Sequence, residues 1–317
     1  MSKAEMQKKL FSEVYYDWVA TYKEGAVKSV TLDKYLASGR WLERIAPKLK
    51  LRDLNRRTYQ NILNEYAKTH EKQTTMDFHT QLKACIRDLF HDRLIDVDPT
   101  YRAVTKGAEP TRRKKSKFLQ KEELMLLMRS LILKNEIDMN WFTLIAAKTG
   151  MRFAELLALT PADFDWANKT VTINKTWNYR RDIGFFQSTK TTCSERVIAL
   201  DWQIIGQFKP LVENLPANEP IFIKKNENGN YVRPYNSTYN YFLKKKCKEA
   251  GITIVSFHAL RHTHASILLA EGVSIHTISK RLGHADISVT QETYAHVLNE
   301  LQAKDDQKMM AALMQMS

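Results

Sequence analysis

Apolar residues in the first part of the chain recur at intervals of three and four, the spacing that places side chains on one face of an α-helix. Four such stripes follow one another, and they begin at Leu10, Tyr35, Leu54 and Met76. Gly25 and Gly39 are the only glycines before Gly107, which favours short connections between helices. The pattern predicts a small helical domain over residues 1–105.

Beyond residue 118 the pattern changes between helical spacing and short β-rich runs. Helical stretches begin near Phe118, Trp141 and His258. Runs rich in β-branched and aromatic residues predict strands at Thr170–Ile173, Gly184–Phe186, Arg196–Leu200 and Ile221–Ile223. We therefore expect a mainly α fold with a small β-sheet (α+β), in which 119–298 form a mixed α/β domain. A methionine-rich amphipathic tail over 299–317 follows it and needs an apolar groove.

The formal net charge of +14 is unevenly distributed along the chain. Residues 106–118 contain glycine, proline and a dense basic run, which predicts an interdomain linker. A second basic stretch lies on the predicted helix Tyr239–Glu249. Nucleic acid is the commonest partner of such segments, although an ordinary solvated surface gives the same charge. The candidate DNA contacts are Arg112, Arg113, Lys114, Lys115 and Lys117 in the linker, and Lys244 and Lys245 on the helix.

Several classes of protein are disfavoured. The longest apolar run, Trp141–Ala147, is too short to cross a bilayer, and the amino terminus does not resemble a secretory signal. We therefore expect a soluble, intracellular protein with no membrane partner. Three separated cysteines indicate reduced thiols. His258, His262 and His264 have no carboxylate or thiol at metal-ligand spacing beside them, so no metal site is predicted. The sequence also lacks the glycine-rich loop that binds ATP phosphates, so ATP is not expected as a cofactor.

The stretch from His258 to Tyr294 carries side chains suited to phosphate chemistry. His258 and Arg261 are three residues apart on a predicted helix and therefore share one face. A guanidinium offers a planar fork of donors and an imidazole exchanges protons near neutral pH, so together they suit a phosphate. Gly283 breaks the next helix and can turn His284 toward the same place, while the hydroxyl of Tyr294 is a candidate nucleophile.

The order of these residues resembles the signature of the tyrosine recombinase (phage integrase) family, which is H-x-x-R, then G-H, then Y. Two upstream family motifs match as well: T-G-x-R-x-x-E is present as Thr149–Glu155, and T-K-T-x-x-S-x-R as Thr189–Arg196. The resemblance implies that Glu155 supports an arginine. It also implies six catalytic residues: Arg152, Lys190, His258, Arg261, His284 and Tyr294.

The resemblance further implies a reaction and its partners. Tyr294 would attack a DNA phosphate and form a 3′-phosphotyrosine bond, with no cofactor. The arginines and His284 would hold the phosphate, Lys190 would protonate the departing oxygen, and His258 would help to accept the tyrosine proton. In this family a helical core-binding domain of SAM-like type and a catalytic domain form a C-shaped clamp on double-stranded DNA. Four subunits exchange strands through a Holliday junction, and accessory DNA-bending or directionality factors can assist. The terminal tail docks on a neighbouring subunit in similar recombinases, and packing on its own domain is the alternative. The resemblance also implies a location in the bacterial cytoplasm, on nucleoid DNA.

Two other functions fit parts of the same pattern. A type IB topoisomerase uses a closely related active site to relax supercoils as a monomer, but the T-G-x-R-x-x-E motif and the methionine-rich tail favour a recombinase. A non-catalytic DNA-binding protein would have no use for Tyr294. Many integrases carry a further amino-terminal arm-binding domain, for which 1–105 leaves too little length, so the chain either works without it or is truncated. We expect a site-specific recombinase that integrates or excises a phage or mobile element.

Overall fold

The structure, a computed structural model, describes residues 2–109, 118–179, 184–189 and 194–314, except for the side chains of 296, 299–308 and 311–313. The chain divides into two compact units, Met1–Lys114 and Lys115–Ser317. Helices dominate both units and the strands are short, so the α+β prediction is confirmed. In the described part of the chain, no helix is long and apolar enough to cross a membrane.

The first unit is helical throughout its regular structure. Its helices are α1 (Lys3–Lys8), α2 (Phe11–Tyr22), α3 (Ser29–Ile45), α4 (Arg56–Ala67) and α5 (Lys72–His91). Asn55 begins α4, because its side chain accepts hydrogen bonds from the amides of Arg57 and Thr58. The apolar stripes meet in one core, whose fully buried members include Phe11, Tyr15, Leu42, Leu82 and Ile86. Each such side chain contributes about 1.5–3 kcal/mol by leaving water.

The second unit combines helices with short strands. Its helices are α6 (Lys121–Ser130), α7 (Met139–Thr149), α8 (Phe153–Leu157), α9 (Lys209–Val212), α10 (Asn236–Glu249), α11 (Phe257–Ala270), α12 (Ile275–Leu282) and α13 (Ile287–Met314). Its strands are β1 (Phe164–Asp165), β2 (Thr170–Ile173), β3 (Lys175–Asn178), β4 (Phe185–Ser188) and β5 (Arg196–Ala199). The main core includes the fully buried side chains of Leu119, Phe142, Leu157, Phe208 and Leu260.

The described strands form two small antiparallel sheets. One has the order β1-β2-β5, and the other pairs β3 with β4. In the first sheet Arg196, at the start of β5, lies opposite Ile173. Residues along β5 alternate between buried and exposed, and Arg196 occupies a buried position. The register of this sheet therefore places the charged side chain of Arg196 in the protein interior.

The strand predicted at Ile221–Ile223 is wrong, because this segment is a turn without strand partners. The amide of Ile221 donates to the carbonyl of Leu159 at 2.8 Å, and the ring of Phe222 packs against those of Phe142 and Phe208. The β-rich composition of this segment reflects side-chain burial against the core.

A separate apolar cluster joins α11, α12 and α13. Its buried members are Ala265, Leu269, Ile278, Leu282, Tyr294 and Val297. Helix α13 is interrupted at Tyr294, whose backbone angles (φ −112°, ψ 19°) are not helical. The interruption therefore lies inside the contact between the three helices.

Candidate active site

Arg152 lies where helix α7 gives way to α8. Gly150 ends α7 in the left-handed conformation (φ 67°), which glycine adopts without strain. Arg152 is the N-cap of α8, and its backbone N–H donates to Glu155 at 2.8 Å. Its guanidinium also donates to Glu155 at 2.8 Å, yet the side chain remains 36% exposed. Arg152 is thus held in place and still accessible to an anion.

Glu155 is the buried carboxylate that links two arginines. Besides the bond from Arg152, it accepts hydrogen bonds from both terminal nitrogens of Arg196, at 2.8 and 3.2 Å. Burial, the largest influence, raises the pKa of Glu155, but the hydrogen bond from Arg196 and the charges of Arg196 and Arg152 together outweigh it, and the pKa lies below its ordinary value. The carboxylate is therefore ionised at neutral pH and joins β5 to the start of α8.

Arg261 projects from α11 and is only 3% exposed. Its terminal nitrogens donate to the carbonyl oxygens of Gly150 at 2.9 Å and Leu282 at 2.6 Å. Burial, followed by the charge of Arg152, lowers the pKa of Arg261 to about 9, so the group is still cationic at neutral pH. Each terminal nitrogen carries a second hydrogen that a phosphate oxygen can accept.

Three successive carbonyl groups, which we call the α12 terminus (281–283), accept hydrogen bonds from three arginines. The donor–acceptor pairs are Arg196 with Arg281, Arg261 with Leu282 and Arg152 with Gly283, at 2.6, 2.6 and 3.2 Å. The last carbonyls of a helix lack intrahelical partners and carry the negative end of its dipole. The α12 terminus therefore gathers three cations that would otherwise repel one another.

His284 follows directly after the α12 terminus. Gly283 adopts the left-handed conformation (φ 68°) and redirects the chain at this point. Nδ1 of His284 lies 2.7 Å from the hydroxyl of the buried Thr290. Burial, and then the charges of Arg261 and Arg152, lower the pKa of His284 to about 4, so its ring is neutral at pH 7.

Tyr294 is only 1% exposed. Its hydroxyl lies 3.0 Å from Nδ1 of His262, which projects from α11. Burial raises the pKa of Tyr294 to about 12, although the charge of Arg261 opposes the shift. The phenol is therefore protonated at neutral pH and hydrogen-bonded to an imidazole.

His258 lies one turn before His262 on α11 and is exposed. The two rings are perpendicular, with centroids 4.8 Å apart. With Arg152 and Asn240, His258 lines a cavity of about 330 Å³. Burial of part of the ring, and then the charges of Arg261 and Arg152, lower the pKa of His258. This cavity gives an anion access to the exposed part of Arg152.

His264, the third histidine of α11, has a supporting role. Its Nδ1 lies 3.0 Å from the carbonyl of Ala147, which can only accept, so Nδ1 carries the hydrogen. Its Nε2 accepts a hydrogen bond from Nε of Arg281 at 3.0 Å. Burial, and then the charge of Arg281, lower the pKa of His264 to about 3, in agreement with this neutral form. Among the described residues, no group of His, Cys, Asp and Glu side chains is arranged to hold a metal ion.

Several predicted site residues fall outside the described ranges. They are Lys190, Arg112, Arg113, Lys114, Lys115 and Lys117. On α10, Lys244 and Lys245 are exposed, and Lys245 lies 3.8 Å from Glu249. Lys246 is buried instead and donates to the carbonyl of Ser130 at 3.1 Å, which is a structural contact.

The structure adds Arg196, Arg281 and His262 to the residues identified from the sequence. Arg196 is the last position of the T-K-T-x-x-S-x-R motif, which was the available signal for it. His262 directly follows Arg261, but no local spacing predicts its contact with a tyrosine 32 positions later.

A profile of the phage integrase family matches residues 117–300, a range that contains every residue of this site. The integrase of Staphylococcus phage L54a is 30% identical over 210 residues, which cover 61% of this chain and 59% of that protein. The ICEBs1 integrase of Bacillus subtilis (strain 168) is 27% identical over 197 residues, which cover 59% of this chain and 52% of that protein. The chain thus spans a little more than half of the length of these two relatives.

The fold is also similar to a solved structure. The Tn1549 transposon integrase in complex with a circular intermediate DNA has a TM-score of 0.76 at 18% identity, and the match covers 94% of this chain and 99% of that one. At this identity the likeness concerns the fold alone. The family profile, by contrast, covers more than half of the chain, and on that basis the protein belongs to the phage integrase family.

Proposed function

We propose that this protein is a site-specific DNA recombinase of a phage or mobile element, which cleaves and rejoins DNA through a covalent bond to Tyr294. The observation that carries the proposal is the arrangement around the α12 terminus. Arg152 and Arg261 both donate to it, and His284 follows it in the chain. The hydroxyl of Tyr294 is hydrogen-bonded to the residue next to Arg261. Two cations, an imidazole and a nucleophile therefore occupy one region, as phosphoryl transfer requires.

In the proposed reaction the oxygen of Tyr294 attacks a DNA phosphate. A bond forms between this oxygen and phosphorus, the bond from phosphorus to the 5′-oxygen breaks, and a 3′-phosphotyrosine remains. Arg152 and Arg261 donate to the non-bridging oxygens as negative charge develops, and loss of one such donor typically costs about 10²- to 10³-fold in rate. His284 adds a hydrogen bond to the same phosphate. Lys190, the hairpin lysine of the family pattern, protonates the departing 5′-oxygen.

The covalent bond conserves the energy of the phosphodiester, so the reverse attack by a 5′-hydroxyl rejoins DNA without ATP. The two guanidinium groups supply positive charge of the kind that metal ions supply in kinases. If the attacking hydroxyl belongs to a second DNA, the strands are exchanged. Two such exchanges among four subunits proceed through a Holliday junction.

Double-stranded DNA is the proposed partner, and the names of the relatives support it. They include a phage integrase, the ICEBs1 integrase and a transposon integrase solved with DNA. We assign residues 1–105 to core-site binding, 106–118 to a linker along the DNA backbone and 119–298 to catalysis. The exposed Met309, Met310 and Met314 suit docking of the 299–317 tail on a neighbouring subunit of a tetramer. Accessory factors would act on the same DNA, within the bacterial cytoplasm.

The test is covalent capture. The protein and its Tyr294→Phe variant are incubated with fragmented DNA of the source organism without ATP or added metal, quenched in denaturant, and the retained DNA is sequenced. Retention that requires Tyr294 and converges on one inverted-repeat site supports the recombinase. Dispersed retention with relaxation of supercoiled plasmid indicates a topoisomerase. A protein that binds DNA but retains none covalently is a binding protein, and the proposal then fails.

A further inference from the structure

The nucleophile of the proposed reaction must lose a proton as it attacks. A neutral phenol is a weak nucleophile, and an adjacent base activates it by taking the proton in the transition state. Tyr294 needs such help more than an exposed tyrosine does, because burial raises its pKa to about 12. A base must also lie within hydrogen-bond reach of the proton it accepts.

Among the residues that the structure describes, His262 provides a titratable side chain at this distance from the hydroxyl of Tyr294. Nδ1 of His262 lies 3.0 Å from it, and the ring centroids of the two residues are 5.9 Å apart. His262 projects from α11 and is partly buried, whereas His258, one turn earlier, is exposed. His262 therefore lies within hydrogen-bond reach of the nucleophile.

His258 has a different setting. It lines the cavity that also contains the exposed part of Arg152, and the positive charges of Arg261 and Arg152 act on its ring. These are the groups to which a phosphate would bind. The position of His258 suits contact with the phosphate, while that of His262 suits contact with the attacking oxygen.

We propose that His262 is a catalytic residue, the acceptor of the Tyr294 proton in the cleavage step. The assignment rests on the recombinase function proposed above. As the tyrosine oxygen bonds to phosphorus, its proton passes to Nδ1 of His262, which becomes an imidazolium. In rejoining, the imidazolium returns the proton to Tyr294 as the phosphotyrosine bond breaks. Nδ1 must be unprotonated before cleavage, so the neutral ring carries its hydrogen on Nε2.

The first experiment measures the single-turnover rate of covalent complex formation on a duplex that carries the captured cleavage site. The variants are His262→Ala, which removes the base, and His262→Asn, which offers an amide oxygen as hydrogen-bond acceptor without basicity. His276→Ala, an exposed histidine on α12, is the matched control. We expect both His262 variants to lose about 10²- to 10⁴-fold in rate, the usual contribution of general acid–base catalysis. The control should keep the native rate, and all variants should bind the duplex with native affinity.

The second experiment distinguishes a base from a merely positioning residue. Tyr294 is replaced by 3-fluorotyrosine, a more acidic phenol of nearly the same size, in the native and both His262 backgrounds. If His262 accepts the proton, the acidic phenol recovers much of the lost rate in the variants and changes the native rate little. If 3-fluorotyrosine changes the rate by the same factor in the native protein and in both His262 variants, the inference is wrong.

Other outcomes separate the inference from the function beneath it. If His262→Asn keeps the native rate, a hydrogen bond to Tyr294 is sufficient. The inference about His262 would then be wrong, but the proposed recombinase function would be unaffected. If even the native protein forms no Tyr294-dependent adduct, the proposed function fails and the inference fails with it. Loss of folding in His262→Ala would leave the asparagine variant and the fluorotyrosine comparison to decide.

Discussion

Glu155 accepts hydrogen bonds from both terminal nitrogens of Arg196. The side chain of Glu155 is only 1% exposed and that of Arg196 only 4%. Removing one member of a buried ion pair leaves the other charged and uncompensated, which costs about 3–5 kcal/mol of unfolding free energy. We expect a loss of this size from Glu155→Ala, measured by urea unfolding followed by circular dichroism.

Glu271→Ala is the matched control for this loss. Glu271 pairs with Lys121, but both side chains are more than half exposed, and such pairs contribute little. Its unfolding midpoint should stay at the native value. Equal midpoints for the two variants would show that the Glu155–Arg196 pair does not hold this region together.

Gly150→Ala should destabilise the protein in two ways. The left-handed φ of 67° is strained for alanine, at about 1–3 kcal/mol. In addition, a Cβ at Gly150 would lie 2.8 Å from Cδ2 of the buried His264. Gly251→Ala has the same φ with no atom within 4 Å of its Cβ, so it reports the strain alone.

We therefore expect Gly150→Ala to lose more unfolding free energy than Gly251→Ala, and to lower the cleavage rate as well, since the Gly150 carbonyl accepts a hydrogen bond from Arg261. Thermal unfolding of the two variants measures the first effect, and covalent capture measures the second. Equal stability losses would contradict the steric part of the argument.

His284 should make stability depend on pH. Its pKa is lowered from 6.5 to about 4 on folding, so the unfolded chain binds this proton first as the pH falls. The stabilising effect is complete above pH 6.5 and is lost progressively between pH 6.5 and about pH 4. His284→Asn should therefore lose less stability than the native protein between pH 7 and pH 5. Urea unfolding midpoints of both proteins at pH 7 and pH 5 test this prediction. Equal decreases in the midpoints of the native protein and the variant would contradict it.

Neighbouring lysines of α10 should respond differently to substitution. Lys244 and Lys245 are exposed, and as phosphate contacts each would contribute about 0.9 to the slope of log affinity against log salt concentration. Lys244→Ala with Lys245→Ala should reduce that slope without changing stability. Lys246→Ala should instead destabilise the protein, because the buried ammonium group of Lys246 donates a hydrogen bond to the carbonyl of Ser130. An unchanged slope in the double variant would place the α10 lysines away from the DNA.

The sequence contained the identity of many site residues but few of their contacts. The motif T-G-x-R-x-x-E and the left-handed glycines are local features, so the helix ends at Gly150 and Gly283 follow from residue type and spacing. The partner of Glu155 comes from a strand 41 residues away. No local spacing determines that contact, which depends on how distant parts of the chain fold together.

The errors and omissions have the same origin. Ile221–Ile223 has the composition of a strand but packs against the aromatic core as a turn. Residues with high β propensity fit half-buried surfaces in general, so this composition does not by itself identify a strand. His262 is adjacent to Arg261 in the chain, and its contact with Tyr294 depends on where α13 is interrupted. Neither environment can be read from a single window of sequence.

The α12 terminus also has a consequence for how the protein is made. Its carbonyls hold arginines that precede them by 131, 85 and 21 residues. During synthesis Arg152 and Arg196 emerge well before their acceptors, and contacts between distant parts of a chain form slowly. The cluster therefore assembles only after residues 281–283 have been synthesised, and a nascent chain that already presents its basic segments does not yet hold these arginines in place. In the recombinase proposed above, strand cleavage therefore has to wait until both the α12 terminus and Tyr294 have been synthesised.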